Sequence, residues 1–275
     1  MSPLPPLREV IAQHGLMAKK SLGQNFLLDL NLTAKIAAAA GDLEGKNVIE
    51  IGPGPGGLTR ALLDTEAATI HAVERDDRCV AALQDVVAVA AGRLVLHADD
   101  ALKTDMASLC PAPRVIVANL PYNIATPLLV GWLGEIDAFD SLTLMFQREV
   151  AARIAAKPRT KDYGRLSIIA QWLTEVEIRF DIPPSAFTPP PKVTSTVVRF
   201  TPRKRTDDLP IALMERVTAA AFGQRRKMLR QSLKQLGCDV EKLLTAAAIP
   251  PTARAEEIDI AGFVRLAQTL REQQT

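Results

Sequence analysis

The chain contains 275 residues, of which 48% are hydrophobic, and it carries a formal net charge of +2. That length allows one large domain or two unequal domains with a well-buried core. No apolar run approaches the ~18 residues that a membrane-spanning helix needs. The proline-rich start also lacks the apolar stretch of a secretory signal, so we expect a cytoplasmic protein that does not associate with membranes.

The spacing of cysteine and histidine residues argues against both a disulfide framework and a metal site. The three cysteines lack the close pairing of zinc ligands, and the three histidines lie far apart in the sequence. We therefore expect a protein without a bound metal. The residues concerned are Cys79, Cys110, Cys238, His14, His71 and His97.

Short apolar runs alternate with helical patterns from residue 31 to about residue 200. Alternation of this kind, with short turns, predicts an α/β fold whose mostly parallel sheet is covered by helices on both faces. The predicted strands are 48–51, 69–74, 94–97, 115–118 and 142–146. The predicted helices are 58–64, 77–90, 126–133 and 148–156.

The pattern changes after Trp172. Two strand-like segments, 176–180 and 194–200, are separated by a proline-rich loop without a helix, which favours an antiparallel pair at the edge of the sheet. A linker at 201–205 precedes a sequence that is helical to its end. The helices predicted there are 211–222, 226–236, 240–248 and 255–268.

A glycine-rich turn follows the first predicted strand and opens the next helix. Gly52, Gly54 and Gly57 satisfy the spacing G-x-G-x-x-G, and Glu74 ends the next strand 22 residues after Gly52. Glycine permits close approach of a ligand, and an acidic side chain at the second strand end can bind both ribose hydroxyls. The pair therefore indicates a site for a nucleoside cofactor.

Two cofactors fit this turn, a dinucleotide and S-adenosylmethionine. Pro53 and Pro55 remove N–H donors that a pyrophosphate would use. Glu50 places an acidic group beside the pocket, which suits a sulfonium or ammonium cation better than a pyrophosphate. Both features favour S-adenosylmethionine.

Asp99 and Asp100 follow the third predicted strand, where the adenine amine of a bound cofactor is expected. One carboxylate is suited to accept a hydrogen bond from that amine. The other is expected to cap the short helical segment that follows.

The tetrapeptide Asn119-Leu120-Pro121-Tyr122 follows the buried run 115–118. We expect it at the crevice where ligands bind doubly wound sheets. The oxygens of Asn119 and of the Leu120 carbonyl can accept hydrogen bonds from an exocyclic amine, and Tyr122 can stack on its ring. The competing interpretation is an ordinary turn at the end of a strand.

Two further segments extend this interpretation. Phe187 precedes a rigid run of prolines at 189–191 and could cover the opposite face of a flipped base, although a stiff connecting loop explains the same sequence. Between Arg203 and Lys234 there are nine Lys/Arg and three Asp/Glu residues, an excess of six positive charges. Phosphate binding is favoured over a merely solvated helix face, chiefly through Arg225, Arg226, Lys227 and Arg230.

Together these motifs resemble the ribosomal RNA adenine N6-dimethyltransferase family, and most closely its bacterial small-subunit branch. The resemblance extends from Lys19 to about Ser232 and includes segments 19–27, 119–124, 145–151, 187–193 and 221–227. The Gly-Pro-Gly-Pro-Gly-Gly turn is one local variation, which leaves the first glycine in place. The resemblance implies that the cofactor contacts are Asn25, Leu27, Gly52, Glu74, Asp100 and Asn119.

The resemblance also implies the fold and the substrate. It predicts a class I, Rossmann-like methyltransferase domain with a seven-stranded sheet over residues 1–203, whose first 30 residues contact substrate and cofactor. A helical RNA-binding domain is predicted over 204–275. The implied reaction is transfer of two methyl groups from S-adenosylmethionine to each of two neighbouring adenosines near the 3′ end of 16S rRNA, by a monomer.

Three rival functions remain at this point. One is the antibiotic-resistance type of 23S rRNA adenine methyltransferase, against which the sequence 119–124 and the loop 189–193 weigh. Another is a non-catalytic RNA-binding assembly or transcription factor on the same fold, which degraded cofactor residues would indicate. The third is a dinucleotide oxidoreductase, against which the tetrapeptide at 119–122 weighs.

Overall fold

The computed structural model describes residues 4–17 and 23–274. Residues 19–22 of the N-terminal signature (Lys19, Lys20, Ser21 and Leu22) lie outside the described residues. The chain divides into two compact units. The first contains the described residues up to Ala151 together with Glu177–Pro202, and the second contains Ala152–Val176 and the residues from Arg203 onward.

Within the described residues, a seven-stranded sheet has the strand order β4-β3-β2-β5-β6-β9-β7. Its neighbours from β4 to β6 are parallel, whereas β9 is antiparallel to β6. The α/β class and the mostly parallel sheet are thereby confirmed. The strands are β2 (Asn47–Ile51), β3 (Thr69–Val73), β4 (Leu94–His97), β5 (Arg114–Ala118), β6 (Ser141–Gln147), β7 (Thr174–Ile182) and β9 (Ser195–Pro202).

The central strands are almost entirely buried, as is typical of a parallel sheet that is covered on both faces. All five residues of β2 are buried, as are the last four of β5. The late pair of strands lies at one edge as predicted, with β9 beside β6 and β7 outermost. A separate two-stranded antiparallel ladder joins β1 (Phe26–Leu27) to β8 (Phe187–Thr188), with Leu27 opposite Phe187.

The helices of the first unit begin where local caps are available. Asp29 and Asp76, for example, each accept a hydrogen bond from the backbone N–H two residues later, at the starts of α2 and α4. The helices are α1 (Leu7–Gln13), α2 (Leu30–Ala39), α3 (Gly57–Leu63), α4 (Asp77–Val89), α5 (Tyr122–Gly134) and α6 (Arg148–Ile154), the last of which extends into the second unit.

Helix α5 begins four residues before the predicted start at 126. The carbonyl of Pro121 accepts hydrogen bonds from the N–H groups of Ile124 and Ala125, so the helix starts directly after the proline. Pro127 lies inside the helix rather than at its first position. Residues 119–121 therefore form the whole connection between β5 and α5, and Tyr122 is the first residue of the helix.

The second unit is helical apart from the first residues of β7. Helix α7 packs against α8 and α11, which explains why residues 152–176 belong to this unit although the sequence placed them in the first domain. The helices are α7 (Arg165–Leu173), α8 (Ile211–Phe222), α9 (Leu229–Ser232), α10 (Val240–Ala246) and α11 (Ile260–Gln274).

The helix predicted at 226–236 is shorter than expected. Met228 is extended and pairs with Arg254 in an isolated bridge, so α9 starts only at Leu229 and continues as a 3-10 helix to Leu236. Leu229 and Leu233 are fully buried, whereas Met228 is 36% exposed. Met228 therefore lies at the surface, in contrast to the two leucines that follow it.

No helix in the described part of the chain is long and apolar enough to cross a membrane.

Candidate functional site

One pocket lies where β2, β3 and β5 end, and the segment 23–27 forms part of its wall. The carboxyl ends of parallel strands meet at one edge of a sheet, so motifs far apart in sequence converge there. The roles predicted for the residues stay predictions, but their proximity is a property of the fold. The pocket is lined by every predicted catalytic or cofactor residue: Asn25, Leu27, Gly52, Glu74, Asp100, Asn119, Leu120, Pro121, Tyr122 and Phe187.

The glycine-rich turn uses its own N–H groups within the protein. Gly52 donates to the Val73 carbonyl at 2.9 Å, Gly54 donates to the Glu74 carboxylate at 3.1 Å, and Gly56 donates to the Pro53 carbonyl at 3.0 Å. The two prolines between them have no N–H. Since a pyrophosphate requires such donors, this turn is poorly suited to a dinucleotide.

Gly52 provides space at the bottom of the pocket. Its φ angle is +67°, which disfavours other residues, and a Cβ at this position would meet no atom within 4 Å. By contrast, a Cβ at Gly54 would lie 3.0 Å from the ring of Phe26. The turn is therefore open towards a ligand at Gly52 and tightly packed against the segment 23–27 at Gly54.

Glu74 links the turn to the end of β3. One carboxylate oxygen accepts hydrogen bonds from the N–H groups of Arg75 and Asp76, at 2.9 and 2.8 Å, and the other accepts from Gly54. Burial raises the pKa of Glu74, although these three donors oppose the shift. Because an oxygen can accept more than one hydrogen bond, the fixed carboxylate can still receive ribose hydroxyls.

Glu50 lies at the base of the pocket and is 1% exposed. Within the described residues, neither carboxylate oxygen has a hydrogen-bond partner. Burial, together with the charge of Glu74, raises the pKa of Glu50 to about 8, and the nearby Thr59 hydroxyl offsets this only in part. A buried acidic group without partners is a strong reason to expect a cationic ligand in this pocket.

Asp100, rather than Asp99, makes the local side-chain contact that we expected of one of the pair, although residues 101–103 form a turn and not a helix. Its Oδ1 accepts a hydrogen bond from the Leu102 N–H at 3.1 Å, and its Oδ2 pairs with the Arg75 guanidinium at 3.3 Å. Both aspartates line the pocket. Arg75 also lines it and was missed in the sequence, since its contact with Asp100 depends on the pairing of β3 with β4.

Several contacts attach the segment 23–27 to the rest of the first unit. Gln24 donates to Asp76 at 3.0 Å, and the hydrogen bond from Arg78 holds the pKa of Asp76 well below its ordinary value. The β1–β8 ladder provides a further attachment. Asn25 and Leu27 were expected here from the sequence, whereas Gln24 was not, because its partner lies 52 residues away.

Asn119 is oriented by the same segment. Its Nδ2 donates to the Asn25 carbonyl at 3.4 Å, while the Asn25 side chain donates to the Gly23 carbonyl at 3.2 Å. Use of the amide nitrogen in this contact leaves Oδ1 as the acceptor for a ligand. The Leu120 carbonyl precedes α5 and is therefore not part of the hydrogen-bond ladder of that helix.

Tyr122 and Phe187 both line the pocket with aromatic rings. Phe187 is 3% exposed and is fixed by its position opposite Leu27 in the ladder. The Tyr122 hydroxyl lies 2.6 Å from the hydroxyl of Ser195 on β9. Burial raises the pKa of Tyr122, and the bond to Ser195 opposes that shift. Ser195 was not expected from the sequence, where its only signal was a polar residue at the start of a strand-like segment.

The cationic segment 225–230 belongs to the second unit and is a turn rather than a helix up to Met228. Arg226, Lys227 and Arg230 are exposed. Arg225 is exposed as well, but its guanidinium donates to the Lys161 carbonyl at 2.6 Å. Arg225 also lies 3.8 Å from Glu256, so part of its role is to hold two segments of this unit together.

The described residues contain no group of three side chains that could hold a metal ion. His71 and His97, distant in sequence, lie close together, with Nδ1 of the first 3.1 Å from Nε2 of the second. His71 also bonds to the Thr69 hydroxyl at 3.1 Å. The pair is thus part of a hydrogen-bonded network on β3 and β4.

Comparison with known proteins identifies relatives along nearly the whole chain. The family model described as ribosomal RNA adenine dimethylase matches residues 15–272. A protein of Rhodospirillum rubrum called ribosomal RNA small subunit methyltransferase A is 60% identical over 272 residues, covering 97% of this chain and 93% of its own. The protein of the same name from Xanthobacter autotrophicus is 60% identical over 275 residues, covering 98% and 95%.

Two solved structures resemble the chain closely. A dimethyladenosine transferase from Plasmodium falciparum has a TM-score of 0.77 at 24% identity, covering 90% of this chain and 97% of that one. The 23S rRNA methyltransferase ErmE has a TM-score of 0.70 at 27% identity, covering 90% and 100%. The first supports the fold alone because its identity is low.

Proposed function

Because this chain belongs to the ribosomal RNA adenine dimethylase family, we propose that it methylates N6 of two adjacent adenosines near the 3′ end of 16S rRNA, using S-adenosylmethionine. The observation that carries this proposal is the convergence in one pocket of Glu74, the glycine-rich turn and the tetrapeptide 119–122. The products are N6-dimethyladenosines, formed during small-subunit biogenesis in the cytoplasm.

Four features of the pocket support S-adenosylmethionine as the cofactor. Gly52 leaves space, Glu74 can receive the ribose, Asp100 can accept from the adenine amine, and the unpartnered Glu50 suits a cationic amino-acid moiety. When bound, the cofactor supplies a methyl group on a positively charged sulfur. Asn25 and Leu27 border it from the segment 23–27.

The tetrapeptide then serves the methyl acceptor. The lone pair of an adenine amine is delocalised into the ring, so the free amine is a poor nucleophile. Hydrogen bonds accepted by Asn119 Oδ1 and the Leu120 carbonyl stabilise a pyramidal amine as positive charge develops on its nitrogen. A general base is not required before attack, because the proton can leave after the methyl group has been transferred.

The target adenine must leave its stack to reach this position. Tyr122 and Phe187 are two of the aromatic residues that line the pocket, and they are suited to hold the flipped base on its two faces. Because two methyl groups are added to one nitrogen, the acceptors cannot clamp both amine hydrogens throughout. The carbonyl and amide oxygens suit this requirement, since each accepts a hydrogen bond without enclosing the amine.

The rival functions have less support. The relatives that are 60% identical carry the name of the small-subunit enzyme, whereas the 23S rRNA methyltransferase ErmE is 27% identical. A non-catalytic RNA-binding factor would not need the retained set of cofactor residues. Against a dinucleotide oxidoreductase, the glycine-rich turn has no free N–H group at residues 52–56 to bind a pyrophosphate.

The proposed reaction is tested with undermethylated small ribosomal subunits and, in a separate reaction, with unmethylated 23S rRNA, each supplied with S-adenosylmethionine carrying a radiolabelled methyl group. We expect label in rRNA, and nucleoside analysis should identify N6-dimethyladenosine at two adjacent positions of 16S rRNA. Label in 23S rRNA instead would favour the resistance-type enzyme. Absence of label from both RNAs, with cofactor binding intact, would favour the non-catalytic factor.

Exposed cations of the second unit are proposed to bind rRNA phosphates as a monomer approaches its substrate. Replacing Arg226 and Lys227 together with alanine should weaken binding and make its salt dependence less steep, by about 0.7–0.9 in log–log slope per lost phosphate contact. Filter binding at several salt concentrations measures this slope.

Two control variants separate charge from structure in that experiment. Lys242→Ala removes a lysine of the same unit that is 81% exposed and pairs with Asp239, so the slope should not change. Arg225→Ala should lower the midpoint of thermal unfolding because two carbonyls lose a donor. An unchanged slope for the Arg226/Lys227 double variant would identify 226–227 as a merely solvated surface.

A further inference from the structure

The hydroxyl group of Tyr122, a residue of the tetrapeptide, makes a close contact with that of Ser195, which lies outside the motifs that point to adenine methylation. They are 2.6 Å apart although 73 residues separate them in the chain. Tyr122 lines the pocket and is partly exposed, whereas Ser195 is completely buried. The contact therefore joins a pocket residue to a fixed point inside the sheet.

Ser195 is fixed because the backbone of strand β9 is paired at this position and is held at the residue before it. Ser195 lies opposite Gln147 in the β6–β9 pairing. The Thr194 carbonyl accepts from the Arg148 N–H at 2.9 Å. The serine hydroxyl thus has little freedom to follow a moving tyrosine.

The effect on Tyr122 follows from the geometry of its side chain. Tyr122 is the first residue of α5, so the helix backbone fixes the position of its Cβ. The hydroxyl lies at the opposite end of the ring. A hydrogen bond there fixes the direction of the ring axis by selecting one χ1 rotamer. Stacking on a base requires a defined ring position, so the hydrogen bond has a direct consequence for the proposed clamp.

We propose that Ser195 is a positioning residue that holds the Tyr122 ring in the orientation required to stack on the target adenine. This inference rests on the proposed function, because the adenine is the ligand for which the orientation matters. Without the serine hydroxyl, the phenol oxygen is drawn to water at the pocket mouth, and the ring leaves the stacking position.

The chain provides a favourable spectroscopic test because it contains only two tyrosines, Tyr122 and Tyr163. The full chain labelled with 3-fluorotyrosine should give two 19F resonances, which the Tyr163→Phe variant assigns. Ser195→Ala should move or broaden the Tyr122 resonance and leave that of Tyr163 unchanged. Tyr163 bonds to the Ile258 carbonyl in the second unit and so reports on general damage.

Thr196→Ala is the matched control for the loss of a buried hydroxyl. It removes a hydrogen bond of the same 2.6 Å length from the adjacent residue of β9, and that hydroxyl contacts Asp181 rather than Tyr122. We expect it to leave the Tyr122 resonance and the methyl-transfer rate unchanged. Ser195→Thr retains a hydroxyl and should restore the wild-type resonance.

Kinetics with undermethylated small subunits complete the test. Ser195→Ala should lower kcat about tenfold while KM for the particle changes little, since binding to rRNA is spread over many contacts. Tyr122→Phe should have a similar effect, and the double variant should be no slower than either single variant. Additive losses of kcat in the double variant, or a Tyr122 resonance that does not change in Ser195→Ala, would overturn the positioning role.

These outcomes also distinguish a failure of the proposed methyl transfer from a failure of the proposed role of Ser195. If the wild-type chain transfers no methyl group, the proposed function fails, and the stacking role fails with it. If the wild type is active and Ser195→Ala has the same kcat as Thr196→Ala, only the role of Ser195 is overturned.

Discussion

Replacing Asn119 with alanine is expected to reduce kcat for methyl transfer about 10²–10³-fold. This range is the usual effect of removing one hydrogen-bonding group aimed at a developing charge. Oδ1 of Asn119 is the acceptor left available when Nδ2 donates to the Asn25 carbonyl. Single-turnover transfer from radiolabelled S-adenosylmethionine to small subunits measures the chemical step directly.

Binding measurements identify the cause of the loss. Affinity of Asn119→Ala for the small subunit should remain close to that of the wild type, because phosphate contacts supply most of the binding energy. Asn123→Ala is a suitable control, since Asn123 is an exposed asparagine four residues further along that also borders the pocket. Full activity of Asn119→Ala would remove this residue from the proposed mechanism.

Glu50 should make the free energy of unfolding fall as pH rises from 4.5 to about 8. Its ordinary pKa is 4.5, whereas burial raises the pKa to about 8 in the folded chain. In this interval the unfolded chain loses the proton and the folded chain keeps it, so rising pH favours unfolding. Below pH 4.5 both states are protonated. Above pH 8 the decrease in the free energy of unfolding has reached its full value, which is no more than about 5 kcal/mol.

The Glu50→Gln variant isolates this contribution. Its stability relative to the wild type should increase steadily between pH 5 and pH 8.5 in urea unfolding experiments. Glu44→Gln controls for the loss of an exposed glutamate close by in the chain. A difference between Glu50→Gln and the wild type that is constant with pH would show that Glu50 is ionised in the folded protein.

The same carboxyl predicts how the cofactor binds. A cationic group next to Glu50 favours its ionised form, so binding should release a proton and become tighter as pH approaches 8. Calorimetry in two buffers with different ionisation enthalpies measures the proton count. Glu50→Gln should abolish the release.

The sequence was sufficient for the sheet and for the placement of the motifs. Strands β2 and β5 are rich in valine and isoleucine and are almost entirely buried, which is typical of strands covered on both faces of a parallel sheet. Gly52 and Glu74 therefore lie close together, because the strands that they follow are neighbours in the sheet. Asn119 lies close to them for the same reason, since β5 pairs with β2.

Other parts of the site depended on contacts that periodicity does not encode. The Tyr122–Ser195 bond and the pairing of Leu27 with Phe187 join segments far apart in the chain, and their register is visible only in three dimensions. The same holds for Arg225, which resembles a free cation in the sequence but donates to the carbonyl of Lys161. Local composition predicts charge and burial, not the partner.

The β1–β8 ladder has a thermodynamic consequence. Leu27 borders the proposed cofactor site and Phe187 borders the proposed base site, and the two residues are paired across the ladder. A ligand that orders one strand therefore reduces the entropy that the other must lose on binding. Because such coupling is reciprocal, occupancy of the cofactor site should tighten binding of the flipped base, and the base should tighten binding of the cofactor to the same energetic extent.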